Sequence, residues 1–122
     1  MKKILIVDDE RDILTSMKIL IESMGIKVKT VDNGRKALNA LKKEFFDLVL
    51  LDILMPGMSG KEVLEKIRKD SKLKKQKVAF LTVVRLGDVG KKEIKKLKPV
   101  DYIEKPVDID SFKKKIKKIL RE

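Results

Sequence analysis

Residues 48–60, Leu-Val-Leu-Leu-Asp-Ile-Leu-Met-Pro-Gly-Met-Ser-Gly, decide how the rest of the chain is read. Leu48 to Leu51 is apolar without alternation, the mark of a strand covered on both faces and therefore central in a sheet. The run ends on Asp52, a charge that needs a partner or solvent once it leaves an apolar strand. A loop holding Pro56, Gly57 and Gly60 follows, and Val63, Leu64 and Ile67 then recur at helical spacing.

The same unit, a short apolar run followed by a stretch of helical period, occurs five times. Strand one is Ile4 to Val7, followed by a helix with Ile13, Met17, Leu20, Ile21 and Met24 on one face and Gly25 as its stop. Strand two, Lys27 to Val31, alternates and belongs at an edge. Asn33-Gly34 reads as the turn after it, and Ala37, Leu38 and Leu41 as the buried stripe of the second helix. Strand four, Val78 to Leu81, delivers Thr82 to its end. Gly87 and Gly90 then interrupt the chain, predicting a mobile loop and a short fourth helix, Lys91 to Lys98, held by Ile94 and Leu97. Strand five is Val100 to Ile103, and a last helix buries Ile109, Phe112, Ile116, Ile119 and Leu120. Five such units predict an α/β fold: a doubly wound, flavodoxin-like, five-stranded parallel sheet of order 2-1-3-4-5 with five helices.

Length and composition bound the rest. A chain of 122 residues with 43% apolar content reads as one domain, residues 1–122, with Leu120-Arg121-Glu122 as a helix end. The apolar opening, Ile4 to Val7, is too short for a signal peptide or a membrane span, so a cytoplasmic location and no membrane partner are expected. With no cysteine and no histidine, disulfides, thiolate metal sites and Ser-His or Cys-His nucleophile pairs are excluded, leaving carboxylate, hydroxyl and amine chemistry. The net charge of +12, with 41% charged residues, reads first as a solvated, ion-pair-rich surface and second as a site for anionic partners. One tyrosine and no tryptophan supply a stacking platform poorly, so nucleic acid is not directly expected.

In a doubly wound sheet ligands bind beyond the carboxyl ends of the strands. The residues there are Asp8-Asp9 after strand one, Asp52 after strand three, Thr82 after strand four and Lys105 just past strand five. Three converging carboxylates repel one another unless a cation joins them, and Mg2+ suits oxygen ligands in company with a phosphate. Such a pocket provides for phosphoryl transfer: Asp52 as nucleophile, Lys105 and the metal as positive charge, Thr82 as hydroxyl donor. Taken singly, Asp8 or Asp9 reads as a helix cap, Asp52 as a salt bridge to Lys105, Thr82 as a turn hydroxyl and Tyr102 as ordinary packing.

The pieces Ile-Leu-Ile-Val-Asp-Asp-Glu (residues 4–10), residues 48–60, Phe-Leu-Thr (80–82) and Tyr-Ile-Glu-Lys-Pro (102–106), in this order and spacing, resemble the response-regulator receiver domain of two-component signalling. The resemblance spans nearly the whole chain. It implies that Asp52 takes a phosphoryl group from a histidine kinase on another chain. It also implies that Asp9, Asp52 and the carbonyl of Leu54 ligate Mg2+, with Asp8 acting partly through water, that Lys105 pairs with the phosphoryl group, and that the peptide before Pro106 is cis. Thr82 and Tyr102 are then the switch pair, reshaping the surface of helix four, strand five and helix five for a protein partner or for a homodimer. Catalysis is confined to the domain's own phosphorylation and dephosphorylation.

Three features depart from the family pattern. Val83 follows Thr82 where a small residue is usual, and Leu54 and Val84 stand where relatives often carry polar groups, which predicts a slowly decaying phosphorylated form. The fourth helix is short and Lys-rich (Lys91, Lys92, Lys95, Lys96, Lys98), so its surface is expected to move more than usual; the lysines read first as a solvated face and next as a site for an acidic partner protein, with nucleic acid second. A haloacid-dehalogenase-type phosphatase fits less well, because its second acid would fall at Leu54. The remaining alternative is a Lys-rich, purely electrostatic binding module for acidic protein or nucleic acid, with a degenerate pocket.

Overall fold

The computed structural model describes residues 1–121; Glu122, the last residue of the expected helix end, lies outside them. The elements alternate without exception: β1 (Lys3–Val7), α1 (Arg11–Glu22), β2 (Lys27–Val31), α2 (Gly34–Lys43), β3 (Leu48–Leu51), α3 (Gly60–Lys69), β4 (Val78–Thr82), α4 (Asp88–Lys96), β5 (Asp101–Glu104) and α5 (Ile109–Leu120). All strand pairs are parallel and the order is β2-β1-β3-β4-β5, as the alternation demands of right-handed crossovers.

Side chains alternate across the sheet, which builds two separate cores. Leu5, Val7, Val49, Leu51, Val78 and Phe80 face α2, α3 and α4, where Ala37, Leu41, Val63, Leu64, Ile67 and Ile94 meet them. Ile4, Ile6, Leu48, Leu50, Ala79 and Leu81 face α1 and α5, against Leu14, Met17, Ile21, Phe112 and Ile116. Each of β1, β3 and β4 therefore needs apolar residues at successive positions, and the runs read from the sequence are the consequence. Burying each such Leu or Ile side chain stabilises the fold by about 1.5–3 kcal/mol.

Several boundaries differ from those expected. Asn33 does not form a turn with Gly34; its side chain accepts the backbone N–H of Lys36 and so caps α2, whose first residue is Gly34. The fourth helix begins at Asp88, three residues before Lys91, because Gly90 packs against the side chain of Leu86 instead of breaking the helix. The fifth strand starts at Asp101, with Val100 44% exposed outside it. Ile109 opens α5 but is 56% exposed and takes no part in its buried face.

Candidate functional site

Parallel strands of similar length bring the residues after β1, β3, β4 and β5 to one edge. Register does this directly: Val7 pairs with Leu51, and Thr82 with Glu104, so Asp8 and Asp52 lie side by side and Lys105 follows beyond Thr82. The backbone continues the ladder into the site, with the Asp52 N–H donating to the Val7 carbonyl at 3.0 Å and the Lys105 N–H to the Thr82 carbonyl at 2.8 Å.

Carboxylate oxygens of Asp8, Asp9 and Asp52 lie within 4.8 Å of one another. Asp8 and Asp52 are buried, 2% and 4% exposed, while Asp9 is open to solvent. The Lys105 ammonium stands between the two buried acids, donating to Asp8 Oδ2 at 2.7 Å and reaching Asp52 Oδ2 at 3.5 Å. Burial pulls the Lys105 pKa down, but the hydrogen bond it donates to Asp8 and the charges of Asp52 and Asp8 outweigh it, so the ammonium titrates above its ordinary value. The other oxygens are oriented by backbone donors: Asp8 Oδ1 accepts the Glu10 N–H at 2.9 Å and Asp52 Oδ1 the Leu54 N–H at 3.3 Å. The first helix is capped at Glu10 with no side-chain cap bond, so neither aspartate is spent as an N-cap.

Thr82 is fully buried, and its hydroxyl oxygen accepts the Val84 N–H at 3.3 Å. Tyr102 reaches the same loop, donating its hydroxyl to the Val84 carbonyl at 2.6 Å and resting its ring on Phe80. Its phenol is held above the usual tyrosine range, first by burial and then by the charges of Glu104 and Asp52. Leu54 and Val83 flank the acids as exposed apolar side chains, 59% and 57% exposed. The Lys105–Pro106 peptide is cis.

Two residues escaped the sequence reading. A Cβ on Gly60 would lie 2.0 Å from the Asp52 carbonyl oxygen, so only glycine lets the start of α3 pack beneath the loop that follows Asp52, where the Gly60 N–H donates to the Ile53 carbonyl at 2.9 Å. Its place in the Pro-Gly-rich loop was visible, but not the close approach. Arg68, at the end of α3, donates to the carbonyls of Leu97, Lys74, Gln76 and Lys98, tying the end of α4 to the α3–β4 connection. No spacing signals this, because all four acceptors are backbone.

Residues 4–117 match the family model of the response regulator receiver domain. The chain belongs to this family. The receiver CheY4 of Vibrio cholerae superimposes with a TM-score of 0.89 at 29% identity, covering 98% of this chain and 99% of that one. Response regulator TrrA of Thermotoga maritima, solved in complex with Mg2+ and BeF, gives 0.84 at 37% identity, covering 98% and 100%. Among curated relatives, a protein of Guillardia theta named "Probable transcriptional regulator ycf27" is 36% identical over 121 residues, 98% of this chain and 46% of its own length. The sensor histidine kinase GacS of Pseudomonas protegens is 50% identical over 66 residues, 54% of this chain and 7% of its own. The chain thus spans about half the length of the curated regulators it matches, or less. Receiver domains are signalling modules of two-component systems, and this chain carries their acidic pocket. Among the described residues no helix is long and apolar enough to cross a membrane.

Proposed function

We propose that residues 1–122 act as one receiver unit whose phosphoacceptor is Asp52. The observation that carries this reading is the buried Asp52 carboxylate, held at the end of β3 with Lys105 at 3.5 Å and the oxygens of Asp8 and Asp9 within 4.8 Å. A carboxylate oxygen of Asp52 attacks the phosphorus of a phosphohistidine on a partner kinase. The P–O bond forms as the P–N bond breaks, and the imidazole leaves as the neutral base after taking up a proton. Lys105 shifts from its carboxylate partners toward the new phosphoryl oxygens, and Thr82 donates its hydroxyl to another of them.

The donor set fits Mg2+, which takes hard oxygen ligands and is commonly held by one or two carboxylates with a phosphate. Asp9, Asp52 and the Leu54 carbonyl would hold it directly and Asp8 partly through water, where it would neutralise charge on the transferring group. The structural support is the convergence of the three carboxylates at one sheet edge.

Readout follows from the Val84 link. Thr82 and Tyr102 hold the N–H and the carbonyl of one residue, so recruiting the Thr82 hydroxyl to a phosphoryl group releases one side of that loop while Tyr102 grips the other. The loop leads into α4, and the α4–β5–α5 face changes shape. Lys91, Lys92, Lys95 and Lys96 are all exposed there, so an acidic protein is the favoured partner.

Incubation with Mg2+ and acetyl phosphate, read by intact mass, tests the reading. A base-labile phosphoryl adduct that vanishes with EDTA and in Asp52→Asn is expected. An adduct that survives Asp52→Asn would refute it.

A further inference from the structure

A second concavity lies at the opposite end of the sheet, where the strands begin. It encloses about 370 Å3 between the α2–β3 connection, the α3–β4 connection and the last turn of α5. Its apolar wall contains Phe45, Leu73 and Ile119. Phe45 is 75% exposed, although the neighbouring Phe46 is buried at 1%. A Phe-Phe pair at the end of a helix therefore puts one ring in the core and leaves the other facing water beside a groove.

The rim is basic. Among the described residues, Lys2, Lys72, Lys75 and Lys77 line it with two acids, Glu44 and Asp47. Both acids are already engaged: Glu44 pairs with Lys3 and Lys29, and Asp47 accepts the Lys3 N–H at 2.8 Å and faces Lys2 at 3.8 Å. Among the described residues, the ammonium groups of Lys72, Lys75 and Lys77 have no carboxylate within 4.0 Å; Lys77 donates instead to the Ile119 carbonyl. The helix carrying Phe45's connection also ends on Lys42 and Lys43, which add to the same positive end of the molecule.

We propose that this groove docks an acidic polypeptide segment, which inserts one apolar side chain beside Phe45 and sets its carboxylates against Lys72, Lys75 and Lys77. Charge complementarity selects the occupant. A second copy of this chain brings another +12 and is repelled. A nucleic-acid strand asks for successive stacking surfaces and forked phosphate donors, whereas the groove has one open ring, no arginine in its lining and two acids that a phosphate backbone would meet. The acidic segment satisfies both halves of the lining, since an apolar anchor in a charged rim is the usual anatomy of a small docking site.

The groove shares no residue with the phosphoacceptor site. The four residues of β3, all buried, separate Phe46 and Asp47 from Asp52, roughly 13 Å of strand. Docking here is independent of phosphorylation, unlike the readout through α4, so the domain holds one partner constantly while it presents another surface conditionally.

Fluorescence anisotropy on the full chain tests this with a labelled peptide of aspartate and glutamate carrying one central tryptophan. Replacing that tryptophan by glutamate should weaken binding about tenfold, and Phe45→Ser should remove the difference between the two peptides. The doubly reversed variant Lys72→Glu/Lys75→Glu, both sites exposed, should abolish binding of either peptide, while Lys91→Glu/Lys92→Glu and beryllofluoride should leave affinity within about twofold. Unchanged melting temperatures establish that the variants fold. The proposal is overturned by equal affinity for both peptides, by Phe45→Ser binding as wild type, by loss of binding in the α4 variant, by no binding at all, or by tighter binding of oligothymidylate or of phosphatidylglycerol vesicles.

Discussion

The two halves of the sheet edge that carries Asp52 are built differently. On the β1–β3 side, Asp8 and Asp52 rise from strands whose residues at the site end are at most 1% exposed, with backbone donors on Asp8 Oδ1 and Asp52 Oδ1 and with Gly60 packed against the Asp52 carbonyl. On the β4–β5 side, residues 83–87 have no regular structure; Thr82 and Tyr102 hold them through Val84, Arg85 pairs with Glu104 at 3.4 Å, and Leu86 packs against the core. The proposed acceptor is fixed before any phosphate arrives, and the loop that would report on it hangs from a few contacts. Preorganisation where charge develops and freedom where shape must change is the division of labour a switch requires.

The most damaging way to break the rigid half is Gly60→Ala. With a Cβ 2.0 Å from backbone, the loop under Asp52 must move; we expect a loss of about 3 kcal/mol or more in urea unfolding together with slowed phosphorylation. If that variant keeps wild-type stability, the acceptor loop is not held by close packing.

Lys105→Met sharpens the comparison from the centre of the site. It leaves the Asp8 and Asp52 carboxylates without their ammonium, and phosphoryl incorporation from acetyl phosphate is expected to fall by roughly 10²-fold, with Mg2+ affinity retained or increased. The ammonium's raised pKa fixes the pH dependence. Its contribution to stability is complete below the ordinary lysine value of 10.5 and is lost only as pH climbs through the higher folded value. The stability difference between wild type and Lys105→Met should therefore be flat from about pH 7 to 9 and shrink only in strong alkali.

How much of this was legible differs between the same two halves. The wholly apolar runs of β3 and β4, and the polar residues that end them, displayed both the sheet order and the edge where Asp8, Asp9, Asp52, Thr82 and Lys105 meet, because burial on two faces leaves no room for polar residues. The β4–α4 region was read least well. Gly90 resembled a break yet sits inside α4, since Leu86 fills the space beside it, and the restraint on that helix comes from elsewhere. Arg68 clamps its carboxyl end, and Glu93 pairs with Lys61 of α3 at 2.7 Å, so the helix expected to be loose is tied at its end and freest at its start, where Gly87 provides no side-chain cap. Contacts to backbone carbonyls have no sequence period and cannot be read from one.

Arg68→Met tests that asymmetry. Four donor contacts are lost at once, and we expect about 2 kcal/mol of destabilisation with faster amide exchange concentrated in residues 94–99. Exchange that rises instead at the start of α4 would place the restraint at the wrong end. The mildest perturbation is Tyr102→Phe, which removes only the bond to the Val84 carbonyl: about 1 kcal/mol at most in stability, unchanged phosphorylation, and a blunted difference between the two states in amide spectra of residues 83–91.

The account rests on Asp52 being the residue that carries the phosphoryl group, and the direct measurement is chemical localisation. After phosphorylation with acetyl phosphate and Mg2+, borotritide reduction converts an acyl phosphate to a labelled alcohol that survives digestion. The label is predicted in the peptide containing Asp52 alone; label at Asp8 or Asp9, or an adduct that resists reduction, would contradict it.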